Sequence, residues 1–333
     1  MQGTQDVTIQ FLREHGYDDS QITEYYDILA RFRKRFHPSG QLAPDPKEYY
    51  ITAPDGAKIF VQEFIPENAR AIVMGQPGNN CQGDLYYPLA DHLYYKGIGV
   101  IAVDNRGHGR SGPERGWFDH PEWMFPVYDS ILQRFQGLPR HLLGESLGSA
   151  MLAAYLASSS KMARDVSSAI LMVAPFRARF HVLTDPILSR PMSFPLILLL
   201  FILRIFSTDR PFLALRPDFR PTYYHEYHKI DQMDIIRAPK ISAVFIYNLA
   251  RMFAKMSRNA MKIRKPVLLL LGTGDQLVDP YGTLEFFKNA IHIHRKIHVF
   301  KNADHSLMFD KNSQKSYDII TSWIEGDWQG KKS

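Results

Sequence analysis

Short apolar runs bounded by turn residues recur along most of this chain, and their lengths are typical of buried strands. Two early segments, 49–52 and 58–65, flank an Ala-Pro-Asp-Gly turn and predict a hairpin. Six further runs predict strands at residues 71–76, 99–104, 141–145, 168–174, 266–271 and 296–300. Helical spacing of apolar residues lies between them, near residues 85–96, 121–136, 146–159, 281–291 and 314–325. This alternation predicts an α/β fold with a mostly parallel eight-stranded sheet and helices on both faces.

The first 45 residues show a helical pattern instead. Apolar residues recur at three- and four-residue intervals over residues 7–15 and 20–36, with Ser20 or Asp19 as the expected N-cap of the second helix. A linker that contains Pro and Gly follows. We interpret residues 1–45 as an N-terminal helical extension that packs on the body. Recruitment of a partner and contact with a membrane are the alternatives.

The strand–helix rhythm stops after residue 175 and resumes near residue 266. Residues 194–203 form an apolar run that is too short to span a bilayer and is followed by Arg204. Residues 241–261 place apolar side chains on one helical face and basic side chains on another. A basic amphipathic helix can lie on an anionic membrane, although most amphipathic helices cover a core. We therefore predict a helical lid at 176–265 between two parts of one core, 46–175 and 266–333.

Charge is distributed unevenly over the 333 residues. The net charge is +6, yet residues 176–265 carry 16 Lys and Arg against 6 Asp and Glu, so the rest is slightly acidic. A basic lid favours an anionic surface or substrate, and a solvated basic face without a partner is the alternative. Nucleic acid is a poor candidate partner, because no recognition motif accompanies the charge.

Composition limits the other classes of site and the compartment. With 45% hydrophobic and 22% charged residues, the chain has an ordinary globular composition. Cys81 is the single cysteine, so no intrachain disulfide framework and no cysteine-based zinc site is expected. The first residues show neither a basic start nor an apolar run, so we expect no secretory signal. These features predict a cytoplasmic protein, with peripheral association with a membrane as a further option.

The sequence Gly144-Glu145-Ser146-Leu147-Gly148 joins a predicted strand to an Ala-rich helix. G-x-S-x-G in this context is the pattern of a nucleophile elbow. Its serine occupies a sharp, strained turn, and glycine two residues away on each side avoids steric clashes. The turn also directs the free N–H groups of the first helical turn toward the serine hydroxyl. The alternative is a Gly/Ser turn without a chemical role, because the pentapeptide also occurs by chance.

A nucleophilic serine needs a base, and the base needs an orienting acid. His305 follows the last predicted strand, where a catalytic base would lie. The loop after the preceding strand offers two acids: Asp275, which we favour, and Asp279, which precedes Pro280 and suits a helix N-cap. His108 is a rival base, but its glycine-flanked loop favours a structural role. The order Ser146, Asp275, His305 along the chain is that of one known triad arrangement.

An oxyanion hole should complete the site. One donor is expected to be the backbone N–H of Leu147, which follows the serine. The second should come from the loop after the third strand, where Pro77 has no N–H to donate. Gly78 and Asn79 remain as candidates, and we favour Asn79. Cys81, beside this loop, is most simply a bystander.

Four motifs give the chain a resemblance to the α/β-hydrolase superfamily, and to its monoglyceride lipase, lysophospholipase and serine aminopeptidase branch. They are DNRGHGRS at 104–111, GESLG at 144–148, GTGDQLVD at 272–279 and ADH at 303–305. The resemblance covers residues 49–328 and is weaker in the lid. The branch usually has His-Gly-x-Gly after the third strand, whereas this chain has Gln76-Pro77-Gly78-Asn79. That departure concerns the second oxyanion donor.

The resemblance implies ester hydrolysis through an acyl-enzyme on Ser146, with His305 as base, Asp275 as its partner and no metal or organic cofactor. The apolar run in the lid favours a fatty acyl chain, and the basic charge favours a phosphate-bearing or membrane-presented lipid. We therefore predict a lysophospholipase or monoacylglycerol lipase. The alternatives are a short-chain carboxylesterase, an aminopeptidase, and a non-catalytic member that binds a ligand. An aminopeptidase would need an acidic group for the substrate amine, and the lid is poor in acids.

Overall fold

An eight-stranded sheet runs through the chain in the computed structural model, which describes residues 6–37, 41–116, 121–176, 213–214, 240–241, 248, 260–288, 294–309 and 311–329. Nearly all of the predicted lid, including the apolar run at 194–203 and most of the amphipathic segment at 241–261, lies outside these residues. The division of the chain into an extension, a core and a lid therefore stays a prediction. The sheet, its strand order and the helices that cover it can be described.

The strands of the large sheet lie within one or two residues of the predicted ones. They are β1 (Lys47–Thr52), β2 (Lys58–Phe64), β3 (Ala71–Gln76), β4 (Ile98–Val103), β5 (Arg140–Glu145), β6 (Ser168–Met172), β9 (Val267–Gly272) and β10 (Arg295–Phe300). Two-residue strands β7 (Leu213–Ala214) and β8 (Lys240–Ile241) form a separate antiparallel pair. The order across the large sheet is β1-β2-β4-β3-β5-β6-β9-β10. Only β2 runs against its neighbours in this sheet, so the predicted, mostly parallel arrangement is confirmed.

Helices in the described part of the chain precede the sheet and alternate with its strands. They are α1 (Asp6–Glu14), α2 (Asp19–Phe36), α3 (Tyr87–Tyr94), α4 (Met124–Gln133), α5 (Leu147–Leu156), α6 (Lys161–Asp165), α7 (Pro280–Lys288) and α8 (Ser313–Glu325). Short 3₁₀ turns at Gly83–Tyr86 and Pro121–Trp123 lead into α3 and α4. The short helix α6 was not predicted from the sequence. None of the helices in these ranges combines the length and hydropathy needed to cross a bilayer.

Neighbouring residues of the central strands point to opposite faces of the sheet, so each strand supplies both cores. Val73 and Leu143 contribute to one hydrophobic cluster, together with α2, α3 and α8. Met74 and Leu142 contribute to the other cluster, together with α4, α5 and α7. Because both faces are covered, the central strands read as continuous apolar runs in the sequence.

The N-terminal helices are an integral part of one of these cores. Tyr25, Ile28, Leu29 and Phe32 are buried on one face of α2 and belong to the cluster that includes α3 and α8. The side chain of Asp18 caps the helix by accepting the N–H of Gln21, and Gln21 caps Asp18 in return. The expected N-cap at Ser20 or Asp19 was therefore wrong by one or two residues, because this reciprocal pair outcompetes a single cap.

Buried polar contacts also attach α2 to the body. The Arg33 guanidinium donates to both carboxylate oxygens of Asp91 on α3, at 3.0 and 2.6 Å. The Tyr25 hydroxyl contacts the Asp84 carboxylate and the Arg110 guanidinium. Burial raises the pKa of Tyr25 well above its ordinary value, so this hydroxyl stays neutral and can donate. Removing one partner of such a buried pair leaves the other charge uncompensated, so the two ends of each contact depend on each other.

The burial of His141 on β5 makes the stability of the protein depend on pH. Its Nδ1 lies 2.7 Å from the Ser168 hydroxyl, and burial lowers its pKa to about 4. In the unfolded chain the pKa is about 6.5, so the unfolded state binds more protons between these values. Stability is therefore complete above pH 6.5 and is lost as the pH falls toward 4. For His141 alone the loss between pH 7.5 and 4.5 is about 2 kcal/mol.

We expect urea unfolding to show that His141→Asn loses less stability than the wild type between pH 7.5 and 4.5, by about 2 kcal/mol. Comparing the two pH values within each protein removes the cost of the cavity. His92, whose pKa burial also lowers to about 4, keeps some pH dependence in the variant. An equal pH-dependent loss in His141→Asn would contradict the prediction.

Candidate active site

Ser146 occupies the sharp turn between β5 and α5. Its backbone has φ 50° and ψ −117°, outside the regions that a serine normally adopts. Its own N–H donates to the carbonyl oxygen of Met172 on β6 at 2.9 Å, and the Ser149 hydroxyl ties Gly144 and Met172 together at 2.6 and 2.9 Å. These bonds on both sides hold the strained residue in place.

The two glycines of the motif allow the close packing that the turn requires. A Cβ atom on Gly148 would lie 1.9 Å from the carbonyl oxygen of Gln76 on β3, and one on Gly144 would lie 2.5 Å from the backbone of Ser149. Neither contact is compatible with a side chain. The predicted reason for glycine at both positions, steric exclusion, therefore agrees with the packing of the turn.

The structure brings Asp275 and His305 together at the neighbouring strand ends. Oδ2 of Asp275, after β9, lies 2.8 Å from Nδ1 of His305, after β10. Oδ1 of the same carboxylate accepts the N–H groups of Leu277 and Val278 at 2.8 and 2.9 Å. With both oxygens engaged and only 1% of the residue exposed, Asp275 is fixed as a hydrogen-bond acceptor for the imidazole. The contact also leaves Nε2 of His305 as the ring nitrogen for proton transfer.

Burial alone would lower the pKa of His305, but the hydrogen bond and the negative charge of Asp275 outweigh it. The net result is a pKa raised above its ordinary value, with smaller contributions in the same direction from Glu145 and Asp304. Glu145 immediately precedes Ser146.

Backbone contacts hold the loops after β9 and β10 together. Thr273 and Gly274 donate their N–H groups to the carbonyl oxygens of Phe300 and Ala303 at 3.0 and 2.8 Å. The N–H of Asn302 returns to the Thr273 hydroxyl at 2.8 Å. These contacts fix the two loops to each other, and so support the 2.8 Å distance between Asp275 and His305.

The rival residues have other contacts. Oδ1 of Asp279 accepts the N–H of Tyr281 at the start of α7, at 3.0 Å, as expected of a helix cap. Both ring nitrogens of His108 are engaged: Nδ1 lies 2.8 Å from the Arg106 carbonyl oxygen and Nε2 lies 3.2 Å from Oδ1 of Asn79. These positions favour structural roles for Asp279 and His108.

The candidate oxyanion loop lies directly against the elbow. A Cβ atom on Gly78 would be 3.2 Å from Cβ of Ser146 and 3.8 Å from Sγ of Cys81. Gly78 is thus adjacent to the serine, and Leu147, which follows the serine, is the first residue of α5. Asn80, two residues further along this loop, has φ 57°, a left-handed backbone conformation that is common in tight turns.

Sequence reasoning missed the side chain that holds this loop. Nδ2 of Asn105 donates to the carbonyl oxygens of Pro77 and Gly78 at 2.9 and 3.2 Å. Two sequence signals pointed to Asn105: its place in the DNRGHGRS motif at 104–111, and its position two residues after β4, next to the strand that the loop follows. As for metals, the described ranges contain no group of three His, Cys, Asp or Glu side chains arranged to bind an ion.

Comparison with known proteins assigns most of the chain to one family. The profile of the serine aminopeptidase S33 family matches residues 67–312. A monoglyceride lipase homolog of Monkeypox virus is 25% identical over 77% of this chain and 89% of the viral protein. Human monoglyceride lipase is 24% identical over 78% of this chain and 83% of its own length.

A solved structure shows the same fold. A soluble variant of monoglyceride lipase from Saccharomyces cerevisiae, in complex with a substrate analog, superposes with a TM-score of 0.72. The match covers 85% of this chain and 96% of the yeast chain at 20% sequence identity. At that identity the likeness concerns the fold, which is the α/β-hydrolase fold.

Proposed function

The chain belongs to the serine aminopeptidase S33 family and is a serine hydrolase of the lipase and esterase type, and we propose that it hydrolyses fatty acyl esters through Ser146, His305 and Asp275. The observation that carries the proposal is the 2.8 Å contact between His305 Nδ1 and Asp275, at the sheet edge where Ser146 occupies its strained turn. An imidazole oriented by a carboxylate, at the sheet edge that also carries a strained serine, supports acyl transfer, which needs a nucleophile and an oriented base.

In the proposed reaction, Oγ of Ser146 attacks the acyl carbonyl while Nε2 of His305 takes the hydroxyl proton. The carboxylate of Asp275 holds the imidazole in orientation and stabilises its positive charge. The imidazolium then protonates the leaving alcohol, and an acyl group remains on Ser146. His305 next activates a water molecule that attacks the acyl-enzyme, which releases the fatty acid and restores the serine.

The oxyanion of each tetrahedral intermediate would be stabilised by backbone N–H groups. Leu147 supplies one at the N-terminus of α5, and Asn79 or Gly78 supplies the other. The nearness of Gly78 to Ser146 supports a donor from this loop. Such donors act most strongly because they are fixed before the charge develops.

For the substrate, we propose a long-chain monoacylglycerol or lysophospholipid. Two relatives that align over more than three quarters of this chain are monoglyceride lipases by name, or homologs of one. The apolar composition of residues 194–203 suits an acyl chain, since each buried CH₂ group contributes about 0.8 kcal/mol. The basic charge of residues 176–265 suits an anionic headgroup or a peripheral contact with an anionic membrane.

A matched substrate panel tests this function. We expect the purified protein to hydrolyse monoacylglycerols or lysophospholipids of 12 to 18 carbons about 10-fold or more faster than butyryl esters, measured as kcat/KM, because several additional CH₂ groups are buried. The panel includes p-nitrophenyl butyrate and aminoacyl amides. Preference for the butyrate would indicate a carboxylesterase, and preference for the amides an aminopeptidase. No turnover of any member would favour a protein that only binds its ligand.

A further inference from the structure

A buried chain of side-chain hydrogen bonds runs beside the candidate oxyanion loop. The Tyr128 hydroxyl on α4 donates to Oε1 of Gln76 at 2.6 Å. Nε2 of Gln76 donates to Oδ1 of Asn105 at 2.8 Å. Nδ2 of Asn105 then donates to the carbonyl oxygens of Pro77 and Gly78. All three side chains are inaccessible to solvent, so each contact is formed in a medium where an unmet polar group is costly.

These hydrogen bonds fix the orientation of the side-chain amides of Gln76 and Asn105. The carbonyl oxygen of Val103 lies 3.1 Å from Nε2 of Gln76, which requires a donor there and places Oε1 toward Tyr128. Oδ1 of Asn105 must then accept from Gln76, and its Nδ2 must face the loop. Turning the Asn105 amide over would place its oxygen against two carbonyl oxygens. The hydrogen bonds between Tyr128 on α4 and the loop therefore determine the orientation of both amides.

The order of the strands shows which way the backbone N–H groups of the loop point. β3 lies between β4 and β5, so Asn105 and Ser146, which follow β4 and β5, lie on opposite sides of the loop that follows β3. In a trans peptide the C=O and N–H bonds point in opposite directions. Because the carbonyls of Pro77 and Gly78 point toward Asn105, the N–H groups of the same peptide units, those of Gly78 and Asn79, point toward the side of Ser146.

From this geometry we propose that Asn105 is a positioning residue that aims the loop N–H groups of the oxyanion hole, and that Tyr128 and Gln76 set its orientation. The inference rests on the proposed function and adds to it a determinant of transition-state stabilisation. Asn105 touches no reacting atom in this account. Its effect is exerted on the peptide planes that follow Pro77, and it should appear in kcat rather than in substrate binding.

Asn105→Asp is the sharpest test, because it replaces the donating NH₂ by an oxygen of the same size. Loss of one oxyanion donor costs on the order of 100- to 1,000-fold in kcat, and misaiming one costs less. We expect kcat on the best ester of the panel to fall by about 10- to 100-fold, while KM changes by less than about threefold. Binding of an alkyl trifluoromethyl ketone, which forms an oxyanion on serine, should weaken by a similar factor. Binding of the matched alcohol should not.

Tyr128→Phe and Tyr155→Phe form a matched pair that separates positioning from stability. Both tyrosines are fully buried, and their rings pack against each other with centroids 5.3 Å apart. The Tyr155 hydroxyl contacts Asp129 and has no link to the loop. We expect Tyr128→Phe to lower kcat by about 3- to 10-fold, because it removes only the hydrogen bond that is farthest from the loop. We expect Tyr155→Phe to leave kcat unchanged.

The outcomes separate the inference from the function on which it rests. Wild-type kcat in both Asn105→Asp and Tyr128→Phe, or equal losses in the two tyrosine variants, would overturn the positioning role while leaving ester hydrolysis in place. If Asn105→Asp does not fold, the tyrosine pair decides alone. Absence of ester hydrolysis by the wild-type protein would instead refute the proposed function.

Discussion

Ser146→Ala is expected to lower kcat on every ester substrate by a factor on the order of 10⁵ to 10⁶, because no covalent intermediate can form. The fold should tolerate the change. The Ser146 N–H keeps its bond to Met172, and alanine meets the same backbone requirement at φ 50° as serine does. We therefore expect a melting temperature within about 2 °C of the wild type, since no buried group loses its partner.

Two measurements check this result. Initial rates on the substrate panel quantify the loss, and a fluorophosphonate probe, which reacts with an activated serine, should label the wild type but not the variant. Ser158→Ala, just beyond the end of the helix that Ser146 begins, is the control and should retain full activity and labelling. Retention of more than about 1% of the wild-type rate by Ser146→Ala would identify another nucleophile.

Asp275→Asn is expected to lower kcat by about 10³- to 10⁴-fold, because an amide cannot stabilise the imidazolium and favours the wrong tautomer of His305. Asp279→Asn is the matched control in the same loop. Its carboxylate caps α7 through the N–H of Tyr281, and Asn is as good a cap, so we expect activity within about threefold of the wild type. Equal losses in the two variants would argue against Asp275 as the partner of His305.

The pH dependence of kcat/KM offers a second readout for Asp275. The base acts only when His305 is neutral, and Asp275 raises the pKa of that ring above its ordinary value of 6.5. Activity should therefore rise with pH through a midpoint above 6.5 and reach a plateau. In Asp275→Asn the residual activity should show a lower midpoint, because burial, which lowers the pKa, is no longer outweighed.

Much of the fold could be predicted because the central strands are buried on both faces and the strands are bounded by turn residues. The eight strands were therefore visible as runs such as residues 141–145, and their ends placed Ser146, Asp275 and His305 at one edge of the sheet. The exact residue at which a strand ends is harder to predict from the sequence. The strand at 168–174 ends earlier than predicted, at Met172, because Val173 has φ 43°, although its N–H still donates to the carbonyl oxygen of Leu270 on β9 at 2.9 Å.

Other features depend on contacts between distant residues, which a periodic pattern does not encode. The sequence favoured packing for residues 1–45, but gave no sign that Arg33 would pair with Asp91 or that Tyr25 would reach Arg110. The same holds for the amide of Asn105. Its neighbour Gln76 departs from the usual pattern of the branch, and only the strand order brings the two side chains together.

The packing of α2 has a consequence for how the protein is made. Phe32 and Phe36 pack against Phe309, with ring centroids 5.4 and 5.7 Å away. A helix synthesised early is therefore covered by a segment that is synthesised near the end. At about 5–20 residues per second, that segment follows on the order of tens of seconds later. We expect α2 to remain protease-sensitive in ribosome-stalled chains that end before Phe309 and to become protected only once the late segment has emerged. A destabilising change in α2 would then lower the yield of newly made protein before it affects the mature enzyme.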